Sequence, residues 1–279
     1  MRRFLRIIVV LALSAAGIFS CKSQYDVIME SSDVDAKYAA AMDYFNRGKY
    51  QKAAQLFESM SFLTTGTERD DTVQYYWGLS NYRFKDYYTA ESNFAKFLES
   101  FPRSVFAEEA MFYRLDCLYR ASDRYELDQT GTRTCLAAID RFEKEHPGES
   151  AYTPALEAMK KDLDGRLDRK AYENALLYYK MEYYKSSQVA LRNVLKDNSE
   201  NIYREDILYY IAMSSYNYAK MSVPAKQKER YLVFIDDYLN FIGEFPDSRY
   251  RHELDVLYRR VRKETGQDGG AAAADVENN

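Results

Sequence analysis

The side chains that could do chemistry in this chain are few, and most of them are placed badly for it. Its histidines are His146 and His252. His146 stands directly before a proline, and His252 stands where a last helix should begin. There is no Cys-x-x-Cys, His-Glu-x-x-His, Gly-x-Ser-x-Gly, phosphate-binding Gly loop or calcium loop. The acid pairs Asp70/Asp71 and Asp236/Asp237 read as surface charge. Glycoside hydrolysis would need two carboxylates facing one cleft, and neither pair by itself indicates that. The chain is expected not to be an enzyme and to need no cofactor and no metal. Three cysteines and a wealth of aromatic rings remain.

Cys21 is the residue with a definite reaction ahead of it. Arg2, Arg3 and Arg6 make a basic head, and Ile7 to Ile18 is an apolar stretch. That stretch suits a signal-peptide core and falls short of the roughly 20 residues a membrane-spanning helix needs. Ile18-Phe19-Ser20-Cys21 closes it, and a small residue before Cys resembles a bacterial lipobox, although Phe19 is bulkier than usual there. The expected reaction is cleavage before Cys21 and lipidation of its thiol. The alternative is a plain secretory signal with a Cys at its boundary. Two or three acyl chains anchor stably, at about 0.8 kcal/mol per buried methylene. Lys22-Ser23 lacks the Asp that would mark inner-membrane retention, which favours the outer membrane. Cys117 and Cys135 flank the loop of one repeat. An oxidising compartment permits a disulfide between them, and the alternative is two buried thiols filling tight helix contacts.

The formal charge of −4 becomes −7 once the three signal arginines are removed. Without a basic block, such a chain is poorly suited to phosphate backbones, so nucleic acid is not expected. The aromatic residues are ordered. Pairs seven residues apart recur as Tyr38/Phe45, Tyr75/Tyr82, Phe112/Tyr119, Tyr172/Tyr179 and Tyr209/Tyr216. Seven residues is two helical turns, so each pair shares one face of a helix. The first three pairs step by 37 residues, as do the last two. A long period carrying a helical sub-period predicts an all-α stack of helix pairs, a tetratricopeptide-like solenoid.

The elements that position these rings follow. Repeat one pairs a helix over 35–46 with one over 50–60, and Gly48 supplies the positive φ between them. Ala41 and Ala53 are the small residues at the helix crossing. Repeat two carries Trp77-Gly78, Tyr82, Tyr87, Ala90 and Phe94, and Pro102 stops its second helix. Repeat four carries Ala175, with Ser187 in the other small slot, and repeat five carries Ala212. The step from the third pair to the fourth is 60 residues. The excess goes to a polar loop at 122–134, with Gly131 as its turn, and to an elongated helix before repeat four. Charges at 160–169 read as a solvated face. A helix over 251–263 caps the array with a polar outer side. The expected organisation is a signal peptide at 1–20 and a lipidated linker at 21–32. Repeats one to three follow at 33–150, then the elongated helix, repeats four and five and the cap at 151–265. Residues 266–279 form a disordered tail.

A second pattern lies at the repeat corners: Phe101-Pro102-Arg103-Ser104-Val105-Phe106, His146-Pro147 through Tyr152, and Phe245-Pro246-Asp247-Ser248-Arg249-Tyr250. Asn198 to Tyr203 looks like a relative without the proline. Five repeats with such corners behind a lipobox resemble the BamD (ComL-type) outer-membrane assembly lipoproteins, over about residues 33–263. The resemblance implies a non-enzymatic protein, lipid-anchored at the periplasmic face of the outer membrane. It implies that the C-terminal half binds the POTRA domains of a barrel-forming assembly protein. It further implies that the N-terminal repeats receive the C-terminal strands of unfolded outer-membrane proteins. On that view Tyr38, Phe45, Tyr75, Tyr82, Phe112 and Tyr119 line a peptide groove, and Arg83 and Arg120 pair with a terminal carboxylate. The competing reading is that these rings pack neighbouring helices. Truncating Tyr75 and Tyr82 is expected to weaken peptide binding without unfolding the domain. Rival functions are a periplasmic repeat adaptor coordinating cell-wall enzymes and, more remotely, a glycan-binding lipoprotein.

Overall fold

The computed structural model describes residues 23–148 and 150–266. The expected signal peptide, Cys21 and the chain beyond Gly266 lie outside these residues. Among the described residues there are twelve α-helices and no strands. None of these helices is long and apolar enough to cross a membrane.

The chain divides into two compact units between Ser122 and Asp123. The first holds α1 (Gln24–Glu30), α2 (Val34–Asn46), α3 (Tyr50–Ser61), α4 (Asp70–Phe84), α5 (Tyr87–Ser100) and α6 (Ala107–Ala121). The second holds α7 (Thr130–Glu145), α8 (Thr153–Lys180), α9 (Tyr184–Asp197), α10 (Arg204–Lys220), α11 (Pro224–Glu244) and α12 (Arg251–Thr265). Within each unit successive helices pack on one another, as an all-α tetratricopeptide-like repeat requires. The polar loop after α6 is shorter than expected, because α7 begins at Thr130 and takes Gly131 into its first turn. The stretch leading into repeat four is one continuous 28-residue helix, with Pro154 in its first turn, where a missing N–H costs nothing.

The small residues sit where helices cross. Ala41, Ala53, Ala90 and Ala212 have no exposed surface, and Ala175 is buried. At Gly78 an added Cβ would lie 2.9 Å from the Phe94 ring, so the ring can approach α4 this closely only because this position has no side chain. In the second unit two serines take the equivalent role, and the buried Ser214 hydroxyl donates to Ser187 Oγ at 2.9 Å.

Pro102, Pro147 and Pro246 each follow a cap residue whose N–H still reaches back one turn: Phe101 to Phe97, His146 to Phe142 and Phe245 to Phe241, at 2.7–2.9 Å. The proline then ends the ladder. At the other end of repeats one, two and four the helix-to-helix turns share a backbone. Lys49 N–H bonds the Tyr44 carbonyl and Gly48 N–H that of Phe45, with Gly48 at φ 70°. The same pair of bonds closes the turns at Lys85 (φ 70°) and Glu182 (φ 65°). This double bond with one left-handed residue is the Schellman arrangement, which normally takes glycine. Lys85→Gly should therefore raise the urea midpoint, followed by helical circular dichroism, by the equivalent of about 1 kcal/mol. Gly48→Ala should lower it by a similar amount.

Candidate functional site

The paired aromatics do not form one uniform surface. Tyr75, expected in the groove, is 2% exposed. Its ring lies flat on Phe106, with centroids 4.3 Å apart and planes 10° apart. Burial, then a hydrogen bond to Glu109, drives its hydroxyl far above the ordinary tyrosine pKa. The second unit repeats the arrangement. Tyr203 stacks on Tyr172 at 4.9 Å and 9°, and Tyr250 stacks on Tyr209 at 3.9 Å and 13°. In each case the last residue of a repeat corner covers the first aromatic of that repeat's leading helix.

A carboxylate one turn before that aromatic fixes the corner. Ser104 Oγ donates to Asp71 Oδ2 at 2.8 Å and accepts the Phe106 N–H at 3.3 Å. Ser248 Oγ donates to Glu205 Oε1 at 2.6 Å and accepts the Tyr250 N–H at 3.0 Å. The corner without proline uses asparagines. Asn201 Oδ1 accepts the Tyr203 N–H at 2.9 Å, while Asp168 accepts from Asn198 Nδ2 and from the Ile202 N–H. Repeat one substitutes a cation for the ring, with Arg69 5.3 Å from the centroid of Tyr38. Sequence reading had the corners and the pairs but not their contact. The signal was present: Arg69, Phe106 and Tyr203 each follow their aromatic partner by 31 residues.

The second aromatics of the first unit are only partly buried, whereas Tyr216 in the second unit is in the core. Phe45 meets Tyr50 and Tyr76 edge-on at 5.4 and 5.3 Å. Tyr82 donates to Asp116 Oδ2 and packs on Tyr113 at 4.6 Å. Arg120, expected to meet a peptide carboxylate, is already held by Asp116 and lies over the Tyr87 ring at 5.4 Å. Arg83 is exposed, with a long 3.5 Å contact to the Tyr113 hydroxyl. Phe112 and Tyr119 are half-buried on α6. In the first unit the set therefore separates. Tyr75 and Arg120 are committed internally, Arg83 is exposed, and Tyr38, Phe45, Tyr82, Phe112 and Tyr119 are partly buried.

In the second unit apolar side chains gather at the helix-to-helix turns. Leu177, Tyr178, Met181 and Tyr183 are exposed around the end of α8, and Met221 and Val223 are exposed after α10. α8 and α10 lie side by side, joined by Asn217 Nδ2 and the Tyr179 hydroxyl at 3.4 Å, so the two turns emerge at the same end. Exposed apolar side chains are thus concentrated at one end of the unit. The charges of α8, expected to be a solvated face, are partly engaged. Lys160 bridges Asp140 and Glu143 at 2.8 Å each, and Lys170 Nζ donates to the carbonyls of residues 125–127.

Cys117 and Cys135 are fully buried. Burial, then the neighbouring Asp116, pushes the Cys117 thiol up to about 12, which leaves it un-ionised and inert at neutral pH.

A tetratricopeptide-like array with acid-fixed aromatic corners defines the class of protein: an all-α helical-repeat protein. Within that class, the model of the YfiO family, described as an outer membrane lipoprotein, matches residues 30–232. The chain belongs to this BamD/YfiO family of outer-membrane lipoproteins. The corner at Phe245 and α12 lie beyond the matched span. None of the curated proteins compared with the chain matches it.

Two outcomes follow. Tyr75→Ala should cost about 3–5 kcal/mol, the range for emptying a core aromatic site. It would therefore report on folding, and the peptide test belongs to Tyr82 and Phe45. Native protein should resist thiol alkylation, and unfolded protein without reductant should take up label at both Cys117 and Cys135. Mass spectrometry reads both.

Proposed function

We propose that this protein is a non-enzymatic subunit of the machinery that assembles β-barrel proteins into the outer membrane. It is anchored at the periplasmic face through acyl chains on Cys21. Its second unit docks on the POTRA domains of the barrel-forming partner, and its first unit receives the C-terminal strands of unfolded barrel proteins. Family membership supplies the setting. The observation that carries the docking assignment is the exposed apolar end of the second unit, where Leu177 on α8 and Met181 at its C-cap stand one turn apart. Methionine and aromatic side chains, here Met181, Tyr178 and Tyr183, are enriched at protein interfaces. For the first unit, partly open tyrosine and phenylalanine rings suit an extended peptide ending in an aromatic, because rigid rings bind with little ordering cost.

The test is a mild-detergent pull-down of the tagged, lipidated protein, with co-purifying proteins identified by mass spectrometry. A POTRA-containing barrel protein should be recovered in near-stoichiometric amount. Leu177→Glu with Met181→Glu should reduce that recovery by about tenfold or more, the equivalent of ~1.4 kcal/mol, while helix content stays unchanged. Recovery of cell-wall enzymes in its place would assign the protein to the adaptor function.

A further inference from the structure

The first unit carries a basic and aromatic surface at its helix-to-helix turns. Arg47 and Lys49 flank the turn between α2 and α3, and Arg83 and Lys85 flank the turn between α4 and α5; all four are exposed. Lys49, Arg83 and Lys85 make no ion pair among the described residues. The acids nearby are already engaged: Asp43 pairs with Arg47 at 2.9 Å, and Asp86 accepts the Thr89 N–H at 3.1 Å. On the same turn stand two large exposed rings, Phe84 at 46% and Tyr88 at 88% exposure. α2 and α4 both pack against α3 and run antiparallel to it, so the two turns come out at one end of the unit.

The chain's own start leads to this end. α1 is capped by Ser23 and held by Tyr25, whose ring meets Tyr44 edge-on at 5.5 Å and whose hydroxyl donates to Gln55 at 2.7 Å. Lys52 Nζ sits 4.8 Å from the centre of the same ring. Tyr44 lies ten residues beyond the start of α2, or ~15 Å along its axis towards the turn. α1 therefore begins beside the turn and runs back to the start of α2. Cys21 precedes Ser23 by two residues, which span at most about 7 Å.

We propose that the turn end of the first unit rests on the headgroup layer of the leaflet that holds the Cys21 lipid, with Lys49, Arg83 and Lys85 on anionic headgroups and Phe84 and Tyr88 at the interface. The proposal rests on lipidation of Cys21. A lipid inserted in the bilayer holds Cys21 at headgroup depth, and the short tether leaves the basic end within about one Debye length, ~8 Å, of that surface. Each Lys or Arg so placed contributes about 1 kcal/mol on an anionic leaflet, and interfacial aromatics add to it. Placed this way, the unit would point its corner end, including Val105, away from the bilayer.

The experiment uses the full lipidated chain on vesicles of phosphatidylethanolamine and phosphatidylglycerol carrying a headgroup nitroxide. A fluorophore is attached at Tyr88→Cys or, separately, at Val105→Cys. Cys117 and Cys135 are buried and stay unlabelled. Position 105 is exposed beyond the far end of α5, so it lies about 20 Å from the turn. Quenching at 88 should exceed that at 105 several-fold. It should fall when Lys49→Glu and Lys85→Glu are added or phosphatidylglycerol is omitted. Vesicles that float with the protein while 88 and 105 are quenched alike, or neither is quenched, would overturn the orientation and leave this end to a protein partner, with the anchor intact. Failure to float, together with a Cys21 that mass spectrometry finds unacylated, would remove the anchor and the orientation with it.

Discussion

Three of the repeats depend on a flat aromatic contact made by a residue outside any helix interior, and repeat one puts a cation in its place. A pair of helices cannot bury its own apolar side; it must present that side to the next pair at a fixed angle. The exit of the second helix sets the angle. Proline ends the helix, Ser or Asn ties the turn to a carboxylate on the leading helix, and the next aromatic drops onto that helix's own ring. Phe106 on Tyr75, Tyr203 on Tyr172 and Tyr250 on Tyr209 are the same joint. With the joint in place, the following helix starts in register, and the next ring contact falls into line. Phe57 stacks on Tyr76 at 5.9 Å and 23°, and 37 residues later Phe94 stacks on Tyr113 at 5.8 Å and 21°.

This explains why the fold was legible in the sequence and the binding surface much less so. Helix positions follow from a period of 37 residues and from Ala, Gly and Pro at fixed places within it, all of them local backbone requirements. Whether a ring on a helix faces a ligand or a neighbour depends on what lies across from it, which is a long-range fact. Tyr75 and Tyr82 share one face of α4 and look equivalent in the sequence. Yet Tyr75 is closed over by a residue 31 positions later, whereas Tyr82 keeps an open edge. Arg120 likewise reads as a spare cation until Asp116, one turn before it on the same helix, is found turned inward to hold both it and the Tyr82 hydroxyl.

The two ends of a helix pair are constrained unequally, and this inequality leaves room for function. At the corner end almost every side chain is assigned: the proline stops the helix, the hydroxyl or amide ties the turn, the acid receives it and the ring covers its partner. A change there acts on the fold first. At the turn end of repeats one, two and four the demand is confined to the backbone, one residue with positive φ and two hydrogen bonds. That demand is met by Gly48, but also by Lys85 and Glu182, although a left-handed lysine or glutamate is less stable than glycine by about 1 kcal/mol. The side chains around these turns are therefore free to vary without disturbing the stack. They have diverged in chemistry, basic and aromatic in the first unit and aliphatic and aromatic in the second. A charged and ring-bearing surface suits a headgroup layer, and Leu177 with Met181 suits a folded protein partner. The repeat reproduces one scaffold, and its turns give each unit a different surface to present.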